Sequence, residues 1–230
     1  MTSEQRLRVI GATVVFAGVA IAGMLMSSPR GRADDGDRGD DRDSRVERGF
    51  EIAPVPLNLE GKNRKLVGLG SYIVNGQADC NGCHSKGPST EFLPGRNPYF
   101  IRQTEQINPA TYLGGGRDFG PFPGPNSPLH IISRNLTPGK TGLPEGDHTF
   151  PEFLEILRTG KDFDHLHPTC SGAPSSGCIP PPFDGDLLQI MPWPIYKNMS
   201  DHDIRAIYEY LKAIPCIQGN YPGEPLDRCQ

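Results

Sequence analysis

Two cysteines three positions apart, Cys80 and Cys83, are followed at once by His84. This is the spacing at which a c-type haem is attached. The short loop between the cysteines lets both sulfurs reach the two vinyl groups of one porphyrin as thioethers. The adjacent histidine is then carried beneath the ring, where an imidazole nitrogen can bind iron. Gly82 suits a loop that turns tightly against a large flat ligand, because it has no Cβ to clash. A zinc knuckle would need a second ligand pair at matched spacing, and a thioredoxin-like dithiol would start a helix in a βαβ pattern. The sequence offers neither context.

A low-spin haem needs a second axial ligand, and a thioether is a soft donor suited to it. Met191 lies in Met-Pro-Trp-Pro-Ile-Tyr, where Trp193, Tyr196 and the prolines would hold it still and keep water away. Met199 is the rival, just before a helix cap. His84 and Met191 are therefore the expected metal ligands. Pro88 or Pro94 could supply the backbone carbonyl that orients the other His84 nitrogen. Arg134 and Asn135, in Ser-Arg-Asn-Leu-Thr-Pro, are candidates for a haem propionate, although a solvated loop accounts for either residue taken singly. Gly114 to Gly116 form either a tight turn or a haem-edge contact. Asp162-Phe-Asp-His165-Leu-His167 could bind a metal, but an exposed polar loop explains it better.

Several elements must position these residues. Lys65 to Gly76 reads as a helix with Leu66, Leu69, Ile73 and Val74 on one face, running straight into the cysteine motif. Gly70 costs that helix about 1 kcal/mol relative to alanine, which points to a second helix crossing closely there. Thr149 and Glu152 make a capping box ahead of Phe150, Phe153, Ile156 and Leu157, with Gly160 as a stop. Ser200 caps a closing helix striped by Ile204, Ile207, Tyr208, Leu211 and Ile214, which Pro215 ends.

The rest of the 230-residue chain sets boundaries on function. Its net charge of −4 leaves no footprint for nucleic acid. High glycine and proline content, 28 and 24 residues, predicts long irregular loops. Arg6 and Arg8 precede an uncharged apolar run, Val9 to Met26, so residues 1–29 read as an export signal or an N-terminal membrane anchor. Residues 30–60 are rich in Arg, Asp and Glu and read as a disordered linker. Residues 61–230 would then be one haem domain, on the periplasmic side of the membrane. Six cysteines minus two for haem leaves four, an even remainder that predicts disulfides in an oxidising compartment. Of three connectivities, the local pairs Cys170–Cys178 and Cys216–Cys229 come first.

The helix into Cys-x-x-Cys-His, then Met-Pro, then Met-Ser-Asp-His-Asp-Ile-Arg-Ala-Ile-Tyr-Glu-Tyr-Leu, resembles a class I cytochrome c. Tyr-Leu-Gly-Gly-Gly, Asn-Leu-Thr-Pro, Leu-Arg-Thr-Gly ending at Gly160 and Met-Pro-Trp-Pro are similar to the cytochrome c subunits of bacterial membrane-bound alcohol and gluconate dehydrogenases. The resemblance covers roughly residues 65–215. It implies a mostly α fold around one covalently bound haem c, with long irregular loop insertions and with the first and last helices crossing beside the ring. It also implies His84 and Met191 as axial ligands. Those subunits typically carry several haem modules, whereas this chain has one attachment motif, and its paired extra cysteines depart from the general pattern. The implied function is electron transfer between a donor and an acceptor protein, the donor being a dehydrogenase in that reading. The alternatives are a peroxidase-like enzyme and a haem-based ligand sensor, both of which need an open sixth position.

Overall fold

The computed structural model describes residues 35–219 and 224–230. The expected export signal or anchor at 1–29 lies outside the described residues. Among those described, no helix is long and apolar enough to cross a membrane. The elements run α1 (Asp35–Ile52), α2 (Arg64–Gly76), α3 (Cys80–His84), β1 (Asp118–Pro121), β2 (His130–Ile132), α4 (Phe150–Thr159), α5 (Trp193–Tyr196) and α6 (Asp201–Leu211). The expectation of a mostly α chain holds only in part. Among the described residues helix is the minority, and long loops tied by scattered hydrogen bonds make up most of the remainder.

The helices start and stop where local chemistry requires. The Asn63 side chain accepts from the Lys65 and Leu66 amides at the start of α2. The Glu152 carboxylate accepts from both the backbone N–H and the hydroxyl of Thr149, at 2.7 Å each, and so locks the start of α4. The Ser200 hydroxyl accepts from the Asp203 amide at 3.1 Å and caps α6.

The core forms where α2 and α6 cross. Val67, Leu69, Ile73 and Val74 meet Ile204, Ile207, Tyr208 and Leu211, all buried. Gly70 permits the close approach its position suggested: a Cβ there would fall 1.9 Å from the Ala206 carbonyl oxygen. Above the crossing lies a buried polar triangle. The Tyr112 hydroxyl donates to the side-chain amide oxygen of Asn75 at 2.5 Å and shares a 2.7 Å bond with the Tyr210 hydroxyl. The triangle joins both helices to the first long loop.

The tract expected to be a disordered linker is a correction. From Asp35 it is helix α1, and α1 packs along α2. Its composition is polar, but Val46, Gly49 and Phe50 share a contact face. The Ser71 hydroxyl donates to the Gly49 carbonyl at 2.6 Å, and the Arg64 guanidinium lies 4.2 Å from the centre of the Phe50 ring. Residues 53–59 then run past the end of α6, burying Val55 and bonding the Asn58 amide to the Ala213 carbonyl. Both local disulfides, Cys170–Cys178 and Cys216–Cys229, are formed.

Candidate haem site

Helix α3 is a single turn made of the attachment motif, set directly after α2. Asp79 precedes it in a left-handed conformation, φ 46°, which bends the chain between the two helices. Cys80 and Cys83 are free thiols three positions apart on this turn. Burial pushes the Cys80 thiol up to about 12, with the charges of Asp79 and Cys83 adding to the shift. Asn81 is buried beneath the turn and accepts from the Leu113 amide at 3.0 Å, while the Arg117 guanidinium donates to the Gly82 carbonyl.

His84 is fixed from an unexpected direction. Its Nδ1 lies 2.8 Å from the Arg134 carbonyl oxygen, not from a carbonyl of Pro88 or Pro94. Burial lowers the pKa of the imidazole, so the neutral ring is favoured. A neutral ring with Nδ1–H donating leaves Nε2 as the lone-pair nitrogen, the form a metal ligand requires.

Gly115 leaves room for the Arg134 peptide to lie against the histidine turn. The Gly115 amide donates to the His84 carbonyl at 2.7 Å and its own carbonyl accepts from the Lys86 amide at 2.8 Å. Its φ is +70°, and a Cβ would fall 2.5 Å from the Arg134 carbonyl carbon. Neither a tight turn nor a haem-edge contact describes Gly115, which pairs with Ser85 and packs against the Arg134 peptide behind the histidine.

Cys80, Cys83 and His84 open onto a cavity walled by apolar side chains, among them Val74, Leu136, Phe153, Leu157 and Leu188. Both Met191 and Met199 line it, as does Tyr196, whose hydroxyl donates to the Ala78 carbonyl at 3.2 Å. Burial pushes the Tyr196 phenol up to about 12. Trp193 does not line the cavity. Its indole packs over Gly160 and donates to the Leu188 carbonyl at 3.1 Å, bracing the methionine loop from behind.

The two residues expected near a propionate are placed differently. Asn135 is buried away from the cavity. Its amide nitrogen donates to the Ile217 carbonyl and to Glu224, 2.9 Å each, and its oxygen accepts from Thr137. Arg134 does reach the cavity wall, but its guanidinium is taken up by the carboxylates of Glu145, Asp162 and Asp164. Burial works against its charge, and Glu145 and Asp162 outweigh this and raise its pKa. Burial in turn raises Glu145 to about 8 despite that arginine.

This ionic cluster was missed from the sequence, where Asp162 to His167 read as an exposed loop. Asp162 is buried and His167 lines the cavity, while His165 stays exposed against Asp186. No group of acidic, histidine or cysteine side chains among the described residues could hold a metal ion of its own. The only usable signal was the spacing of Arg134, Glu145 and Asp162, which has no period to read.

The residues present fit a covalently attached haem. Two thiols stand on one turn, a histidine has Nδ1 engaged and Nε2 left over, and an apolar cavity carries thioether donors in its wall. The cytochrome subunit of fructose dehydrogenase from Gluconobacter japonicus is 27% identical over 160 residues, which cover 69% of this chain and 22% of that protein. The cytochrome c subunit of gluconate 2-dehydrogenase from Pantoea cypripedii is 28% identical over 163 residues, covering 69% of this chain and 26% of that one. The chain thus spans about a quarter of the length of the curated relatives it matches. No family model and no solved structure matches it. The likeness first read from the motifs stands: this chain is similar, over most of its own length, to the cytochrome c subunits of bacterial fructose and gluconate dehydrogenases.

Proposed function

We propose that the chain is a monohaem electron carrier with a class I cytochrome c fold, working in the periplasm between a dehydrogenase donor and a respiratory acceptor. The observation that carries this reading is the His84 Nδ1 bond to the Arg134 carbonyl, beside two free thiols and facing a methionine-lined apolar cavity. Haem c bound here would supply one-electron exchange between ferric and ferrous iron. Cys80 and Cys83 would carry the thioether bonds. His84 would give one axial nitrogen and Met191 the opposite sulfur, a pairing that raises reduction potential. The apolar wall keeps water from the site, which limits reorganisation when charge changes. With both axial positions taken by protein, no substrate reaches the metal, and the protein acts by handing electrons on.

The ferric absorption spectrum tests this reading and separates the two methionines. Native protein should show a sulfur-to-iron band at the red edge and should not bind carbon monoxide when reduced. Met191→Ala should keep the covalent haem, lose the band and bind carbon monoxide; Met199→Ala should keep the band. Loss of the band in the Met199 variant instead would reassign the ligand. Carbon monoxide binding by native reduced protein would favour a ligand sensor or a peroxidase-like enzyme.

A further inference from the structure

Residues 91–108 form an arm built from its own hydrogen bonds. The Leu93 amide donates to the Gln106 carbonyl at 3.0 Å, the Gln106 amide to Arg96 at 3.1 Å, and the Asn108 amide to Glu91 at 2.9 Å. Phe92 bridges Ile107 across it, and the Asn97 amide donates to the Gln103 side chain at 2.9 Å. At its end Tyr99, Phe100 and Ile101 are consecutive and stand 87%, 60% and 89% exposed. Arg102 follows at φ +63°, turning the chain back. Among the described residues Tyr99 meets Phe92 edge-on at 6.4 Å, yet all three large apolar side chains stay mostly in water, and contiguous exposure of this kind marks a contact surface.

The charge pattern and shape select the occupant. Arg96 and Arg102 flank the tip on either side, and the two carboxylates of the arm, Glu91 and Glu105, lie outside them in sequence. The tip is a projecting knob and not a groove, so it suits a medium that yields to it. An aromatic and aliphatic tip flanked by arginines matches the headgroup boundary of a bilayer, where apolar side chains enter the acyl region and cations meet anionic lipid. We propose that Tyr99, Phe100 and Ile101 insert into an anionic lipid surface, with Arg96 and Arg102 pairing with its phosphates.

Hydrogen exchange on the full haem-loaded chain tests it, with vesicles of phosphatidylcholine alone and with phosphatidylglycerol added. The amides of 98–103 should slow on the phosphatidylglycerol vesicles, while the exposed loop at 171–177 should not change. The double variant Phe100→Asp, Ile101→Asp should abolish the slowing even where the chain still floats with vesicles by another segment. Its unchanged haem spectrum would show that the fold is kept. Arg96→Gln with Arg102→Gln should weaken binding at the tip by roughly thirtyfold, at about tenfold or less per arginine. No slowing on anionic vesicles overturns the proposal. So does slowing that rises with protein concentration without lipid, which marks self-association, or slowing that needs a partner protein instead of vesicles.

Discussion

The two walls of the cavity are built differently. On the histidine wall, main chain holds main chain: Gly115 bonds His84 and Lys86, Gly116 bonds Ser133, and Leu136 bonds Leu113. The ligand's orientation is set by the Arg134 carbonyl, which no side-chain substitution removes directly. On the methionine wall, α5 is four residues long and none of them is buried. Met191 is held by the Trp193 amide donating to its carbonyl at 2.8 Å, and Trp193 by one indole bond and by packing on Gly160. A second thioether, Met199, lines the same cavity. His84, the proposed nitrogen ligand, is thus fixed through buried main chain, and Met191, the proposed sulfur ligand, through the short bonded turn that follows it and the packing of Trp193. The difference implies that the sulfur side should yield first to heat, denaturant or mutation.

The contrast can be broken most severely from the backbone side. Gly115→Val should cost about 2–5 kcal/mol, since it combines a left-handed conformation with overlap on the Arg134 peptide. Lower thermal stability and a disturbed histidine ligation, read by magnetic resonance of the ferric protein, are expected. A normal spectrum and melting temperature would show that the histidine wall is not tensioned through residue 115. Gly160→Ala tests the other wall. Its φ is +77° and a Cβ would fall 2.3 Å from the Trp193 indole. A loss of about 1–2 kcal/mol for the left-handed residue is expected, with a weakened sulfur band and intact histidine ligation. If histidine signals change instead, the two walls are not independent.

The smallest effect concerns the ionic cluster between the walls. Burial raises Glu145 to about 8 in the folded chain, above its ordinary carboxylate value. The folded state then holds more protons than the unfolded state between roughly pH 4.5 and 8, so this residue makes stability fall as pH rises through that window. Glu145→Gln, which keeps a neutral side chain of similar shape, should flatten that slope and change little at low pH. Denaturant melts of both proteins at pH 5 and pH 8 measure it. Equal slopes would mean that Arg134 keeps Glu145 ionised throughout.

What the sequence revealed and what it hid divide along the same line. The turn carrying the cysteine motif, the caps of α4 and α6 and the local disulfides depend on neighbours within about a dozen positions, and such signals survive without tertiary information. The Gly70 crossing was legible because glycine in mid-helix is costly unless something approaches. The Arg134 carbonyl was not legible, because any residue supplies a carbonyl and only the fold decides which one faces His84. Arg134, Glu145 and Asp162 are joined across 11 and 28 positions, and their burial is invisible to composition. Helix α1 was hidden for the opposite reason. Its average polarity is that of a disordered tract, and three contact residues, Val46, Gly49 and Phe50, suffice to pack it on α2.

Asn135 stands next to the carbonyl that orients His84, and its partners are Ile217 and Glu224, 82 and 89 positions later. Ile217 follows directly on Cys216, Arg228 pairs with Glu224 at 3.3 Å and donates to the Thr137 carbonyl, and Cys229 closes the span back to Cys216. The order of synthesis therefore runs against the order of assembly. The attachment cysteines emerge from the ribosome long before the segment that steadies residue 135 exists. The steadying of residue 135 therefore waits on a segment made more than 80 positions later, the loop closed by Cys216 and Cys229 against Asn135 and Thr137.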